Sequence, residues 1–129
     1  MAKVVGIGGV FFKAKDPKSL GEWYAQWLGF EIESSFGGTV LPADRLPRGA
    51  YSVWGPFEEA TDYFKPSENP YMINLIVDDL DGVLARLKEG GAEIVGEKEV
   101  SEFGAFGWFV DPEGNKVELW QPPEAAKPQ

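Results

Sequence analysis

Apolar positions recur along this chain at two alternating periods. Leu20, Trp23, Tyr24, Trp27 and Leu28 follow helical spacing, as do Leu80, Val83, Leu84 and Leu87. Each stripe has a start signal and a stop signal. Asp16-Pro17 opens the first, because Asp accepts from free amides and Pro suits the first helical position, and Gly29 ends it. Asp78-Asp79 opens the second, and Gly90-Gly91 closes it. Between the stripes lie short segments of alternating or apolar character. Residues 4–13, 30–36, 39–41, 50–54, 72–77, 92–100, 106–110 and 116–120 read as strands. Asp111-Pro112-Glu113-Gly114-Asn115 is a strong turn signal between the last two.

The order strand, helix, strand, strand, strand therefore occurs twice. Asp16, Glu31-Ile32 and Trp54-Gly55-Pro56 correspond to Asp79, Glu93-Ile94 and Trp120-Gln121-Pro122, about sixty residues later. That offset is too long for a solenoid repeat. It predicts an α+β fold of two βαβββ modules related by a pseudo-twofold axis, with curved mixed sheets that form a cleft. The expected organisation is one domain: module one at about 4–57, a connector at about 55–70, module two at about 71–122 and a frayed tail at 123–129.

Composition removes several kinds of chemistry. The 129 residues include no histidine and no cysteine, so imidazole bases, thiol nucleophiles, disulfides and zinc-thiolate sites are all excluded. Twelve basic against 21 acidic side chains give a net charge of −9, which disfavours nucleic acid and anionic membrane surfaces. No apolar run is long enough to span a membrane, and a cytoplasmic location is expected.

The chain resembles the glyoxalase, bleomycin-resistance and extradiol-dioxygenase superfamily, also called vicinal oxygen chelate, over about residues 4–122. The residues that carry the likeness are the run 11–17, Trp23-Tyr24 with Leu28-Gly29-Phe30, Asp78-Asp79-Leu80-Asp81 and the closing run 111–120. The resemblance implies the duplicated fold. It does not imply one activity, because the superfamily spans lyases, epimerases, dioxygenases, thiol transferases and drug-sequestering proteins. Metal-binding members take ligands from the first and last strand of each copy, and the matching positions here are Gly9, Ser52, Met72 and Glu118. Only Glu118 keeps the family's ligand type, and one carboxylate does not hold a divalent ion. No metal site and no cofactor are expected.

Strand alternation supplies the remaining candidates. With Glu118 on the cleft face go Lys116 and Trp120, and with Met72 goes Asn74. Gly9 brings Phe11, and Ser52 brings Trp54. A simple hairpin about the 111–115 turn sets Trp108 opposite Glu118 and Phe106 opposite Trp120. The expected ligand-binding set is thus Phe11, Ser52, Trp54, Met72, Asn74, Phe106, Trp108 and Trp120, with Glu118 as the candidate catalytic or ligand-pairing carboxylate. The favoured reading is metal-independent binding of a small, partly aromatic organic ligand by a homodimer. The alternative is a lyase- or isomerase-like enzyme that uses Glu118 as acid or base. A third is a partner-binding module that retains only the fold. Whether the chain is an enzyme stays open at this level.

Overall fold

In a computed structural model of the chain, which describes residues 1–124, all of the hydrogen-bonded sheet is built from the second repeat. The elements in chain order are α1 (Pro17–Leu28), a short 3-10 turn (Ala43–Arg45), β1 (Ile73–Ile76), α2 (Leu80–Glu89), β2 (Glu93–Ile94), β3 (Glu99–Ser101), β4 (Gly104–Val110) and β5 (Lys116–Gln121). The sheet runs β1-β5-β4-β2, and β3 pairs with another stretch of β4. β1 is parallel to β5, and every other pairing is antiparallel. The fold is α+β with a mixed open sheet. The tail expected at 123–129 lies largely outside the described residues.

Both helices start and stop where the residues predict. Asp16 accepts from Ser19 N at 3.1 Å, Asp79 accepts from Gly82 N at 3.1 Å, and Gly29 takes the left-handed conformation that ends α1. Gln121 adds a tertiary cap by accepting from Leu80 N at 2.8 Å. Alternation then assigns the two faces of the sheet. Phe109, Val117 and Leu119 are fully buried against Leu20, Tyr24, Leu80 and Leu87 of the helices. Gly107 allows the helix to pack closely on this face, since a Cβ there would lie 3.0 Å from a Leu84 methyl carbon. The opposite face carries Phe106, Trp108, Lys116, Glu118 and Trp120.

The first repeat departs from expectation in two respects. The segments at 4–13, 30–36, 39–41 and 50–54, read as strands, form no ladder among the described residues. Most of their apolar side chains remain uncovered, with Val5 92%, Phe11 95% and Trp54 81% exposed, while Phe30 packs against the core. α1 packs on the sheet of the second repeat, with Trp23 stacking on Phe109 at 5.9 Å, and among the described residues has no paired sheet of its own repeat to cover. The physical reason is that an alternating pattern defines a strand's two faces but not its hydrogen-bonding partner.

The 111–115 turn joins the halves. Asp111, buried within the turn, accepts from Glu113 N at 2.9 Å, Asn115 N at 3.0 Å and Tyr24 Oη at 2.8 Å. Glu113 accepts from the backbone N–H groups of Lys15 and Asp16, both at 2.9 Å, just ahead of α1. Asn115 Oδ1 accepts from Asn69 Nδ2 at 2.7 Å and Tyr71 Oη at 2.9 Å. Three side chains of one turn thereby fix α1, the segment before it and the end of the connector.

Candidate functional site

The face of the sheet away from the helices holds a concavity of about 500 Å³, lined by Tyr63, Glu99, Val100, Ser101, Phe106, Trp108 and Glu118. Register builds its floor. Trp108 stands opposite Glu118 and Phe106 opposite Trp120 across the β4–β5 hairpin, as the turn predicts. β1 lies on the other side of β5 and sets Asn74 beside Glu118.

Glu118 is the polar centre. Its Oε1 accepts from Asn74 Nδ2 at 2.6 Å. Its Oε2 accepts from Tyr63 Oη at 2.6 Å and from Trp108 Nε1 at 2.8 Å. Three neutral donors from three segments therefore converge on one carboxylate, and two are aromatic. Lys116, two residues earlier on the same face, is buried with its ammonium 5.0 Å from the Tyr63 ring centroid and 5.9 Å from that of Trp108. It donates to the Tyr63 carbonyl. Burial lowers the Lys116 pKa, and the charge of Glu118 works against that shift. Burial first, and the bond to Glu118 second, push the Tyr63 phenol well above the usual tyrosine range. Tyr63 is thus held neutral as a donor.

The structure brings Asn74, Phe106, Trp108 and Glu118 together. Trp120 adjoins them, stacked on Phe106 at 6.4 Å, with its indole N–H donated to Phe103 O at 2.7 Å. Tyr51 covers its ring at 4.9 Å. Met72 is half-buried just before β1, outside the concavity's lining. Phe11, Ser52 and Trp54 are exposed on the unpaired segments of the first repeat and line none of it. Sequence reasoning missed Tyr63 by treating 55–70 as a plain connector. The available signal was three aromatic residues, Phe57, Tyr63 and Phe64, in an otherwise polar stretch. Phe57 stacks on Tyr63 at 5.6 Å with 10° between the planes.

The residues at the positions used by metal-binding relatives do not fit a divalent ion. Gly9 has no donor, Met72 offers a thioether, and Glu118 is surrounded by N–H and O–H donors, which point hydrogen atoms where an ion would need lone pairs. Among the described residues, no three His, Cys, Asp or Glu side chains converge to hold a metal.

Comparison with known proteins bears on this geometry. The description "Glyoxalase-like domain" matches residues 9–120. No curated protein matches in sequence. An antibiotic binding protein from a Streptomyces species, TnmS3, has the same fold at a TM-score of 0.59 and 23% identity, over 95% of this chain and 100% of that one. Oxidase ChaP-H1 gives 0.60 and 18%, over 93% and 98%. A member of the glyoxalase/bleomycin resistance protein/dioxygenase superfamily from Sphaerobacter thermophilus gives 0.50 and 25%, over 94% and 98%.

Proposed function

The chain belongs to the glyoxalase-like domain family, and from that premise we propose that it binds a small, partly aromatic organic molecule without a metal ion. The observation that carries this reading is the site around Glu118: one carboxylate framed by Trp108, Tyr63 and Asn74, with half-buried Phe106 lining the same concavity. Aromatic walls supply contact area, and one charged acceptor supplies orientation. The fold is one that an antibiotic binding protein also uses.

The reading includes a homodimer. The first repeat presents unpaired strand-like backbone and exposed Val5, Phe11, Val53 and Trp54. Apolar surface of this extent is uncommon on a monomer, and unpaired strands invite pairing. A second copy offers the same segments in return. Sedimentation velocity over a concentration series tests this: the expected species is a dimer, and a monomer at all concentrations would remove it.

The binding reading is tested on chelator-treated protein whose metal content has been measured. A thermal-shift screen against planar aromatic compounds should yield a ligand that stabilises the chain. A ligand at a hundred times its Kd contributes about 2.7 kcal/mol. Binding that appears only when a divalent metal is restored would overturn the metal-independent reading.

A further inference from the structure

Tyr63 belongs to the connector between the repeats, yet it occupies the site as a bound molecule would. Its hydroxyl donates to Glu118 Oε2 at 2.6 Å, its ring stands edge-on to Trp108 at 6.3 Å and 88°, and the Lys116 ammonium lies 5.0 Å from its centroid. Those three partners all come from the β4–β5 hairpin, the most extensively paired part of the sheet. On its other side Tyr63 packs on Phe57 and Phe64 of its own loop, and it remains 39% exposed.

We propose that Tyr63 is an internal stand-in for the ligand, and that the ligand is a planar hydroxyarene that displaces it from Glu118 and Trp108. The inference rests on the aromatic-binding reading above and names the ligand class for that site. The chemistry of the three fixed groups selects the class. Glu118 Oε2 accepts an O–H. Trp108 presents an aromatic edge contact. The Lys116 ammonium attracts an electron-rich ring and repels a cationic one. An aryl carboxylate would place its charge against Glu118, and a positively charged ring would lie at the Tyr63 ring position, 5.0 Å from the Lys116 ammonium. A neutral hydroxyarene satisfies both. Because Tyr63 holds the position, apparent affinity is reduced by the fraction of molecules in which the loop is closed.

The test uses the full chain and two variants, Tyr63→Ala and Tyr63→Phe, with calorimetric titration of 2-naphthol, 2-methoxynaphthalene and 1-naphthylmethylammonium. Thermal melts establish that each variant is folded. Tyr63→Ala should bind 2-naphthol about tenfold more tightly than the natural chain, since no internal hydroxyl competes. Within Tyr63→Ala, 2-naphthol should exceed 2-methoxynaphthalene by about tenfold, the effect of one hydrogen bond to a charged group. Tyr63→Phe keeps the ring, loses the bond and should fall between. If Tyr63→Ala does not fold, Tyr63→Phe must still bind 2-naphthol more tightly than the natural chain does. Unchanged affinity in the variants would overturn the stand-in role. Equal binding of the hydroxy and methoxy compounds, or preference for the ammonium, would overturn the ligand class. Each of these results leaves aromatic binding intact. Failure of every probe with every folded protein would sink the aromatic-binding reading, and this inference with it.

Discussion

Replacing Tyr24 with Phe removes one oxygen atom and leaves the ring, so it isolates the bond between α1 and the 111–115 turn. The lost interaction is a 2.8 Å hydrogen bond to Asp111, between two buried residues. Hydrogen bonds to charged groups contribute about 1.5–3 kcal/mol. Asp111 would keep three other donors, from Glu113 N, Asn115 N and Asn115 Nδ2. Its charge would therefore not be orphaned, and the cost belongs at the lower end, about 1.5–2 kcal/mol. Aromatic packing of the ring against Phe30 at 5.2 Å and Phe109 at 6.5 Å should survive. The assay is urea denaturation at neutral pH and fixed protein concentration, comparing midpoints at constant m. A midpoint shift equivalent to about 1.5–2 kcal/mol is expected, with Tm lower by several degrees. A change below about 0.5 kcal/mol would mean that the bond is offset by solvent and that the turn does not hold α1.

Two further outcomes follow from the same geometry. The Tyr24 and Tyr63 phenols are both raised above the ordinary tyrosine value, mainly by burial, and each also donates to a carboxylate. Their contribution to stability is fully present below the unfolded tyrosine pKa near 10 and is lost as pH rises beyond it, by up to about 1.4 kcal/mol per pH unit for buried Tyr24 and by less for Tyr63, which is 39% exposed and screened by solvent. Alkaline melts should show this decline, and Tyr24→Phe should flatten it; an identical slope in the variant would contradict the assignment. Gly104 has a φ of 115°, and a Cβ there would run into the Gln121 carbonyl. Gly104→Ala should cost about 1–3 kcal/mol in denaturation, and a neutral result would show that the β4 start adjusts freely.

What the residues disclose in advance divides by physical cause. Helix ends were legible because capping is local: Asp16, Asp79 and Gly29 act on neighbours in the chain. The pairing of Trp108 with Glu118 was legible because a short turn fixes register, and alternation then places Lys116, Glu118 and Trp120 on one face. The unpaired segments of the first repeat look like strands in the sequence because Val4 to Lys13 and Ala50 to Trp54 carry strand-like side chains. Their partners are a tertiary matter that no local pattern encodes. The same alternation puts Phe11, Ser52 and Trp54 on the expected cleft face, and in the structure they lie apart from the concavity around Glu118. Tyr63 was invisible for the opposite reason. Loop residues have no period, so nothing in the spacing announces that this phenol folds back 55 positions to reach Glu118.

The central claim is that a small aromatic molecule binds at Glu118 and Trp108 without metal. The Trp108 indole N–H, donated to Glu118 at 2.8 Å, reports on both residues at once. The most direct measurement is its ¹⁵N–¹H resonance, assigned by Trp108→Phe, followed as an aromatic ligand from the thermal-shift screen is added to chelator-treated protein. A saturable shift of the Trp108 signal is expected, with Trp23 and Trp27 on the helix side unmoved. A bound ligand that leaves Trp108 unchanged, or that shifts it only after a divalent metal is restored, would contradict the account.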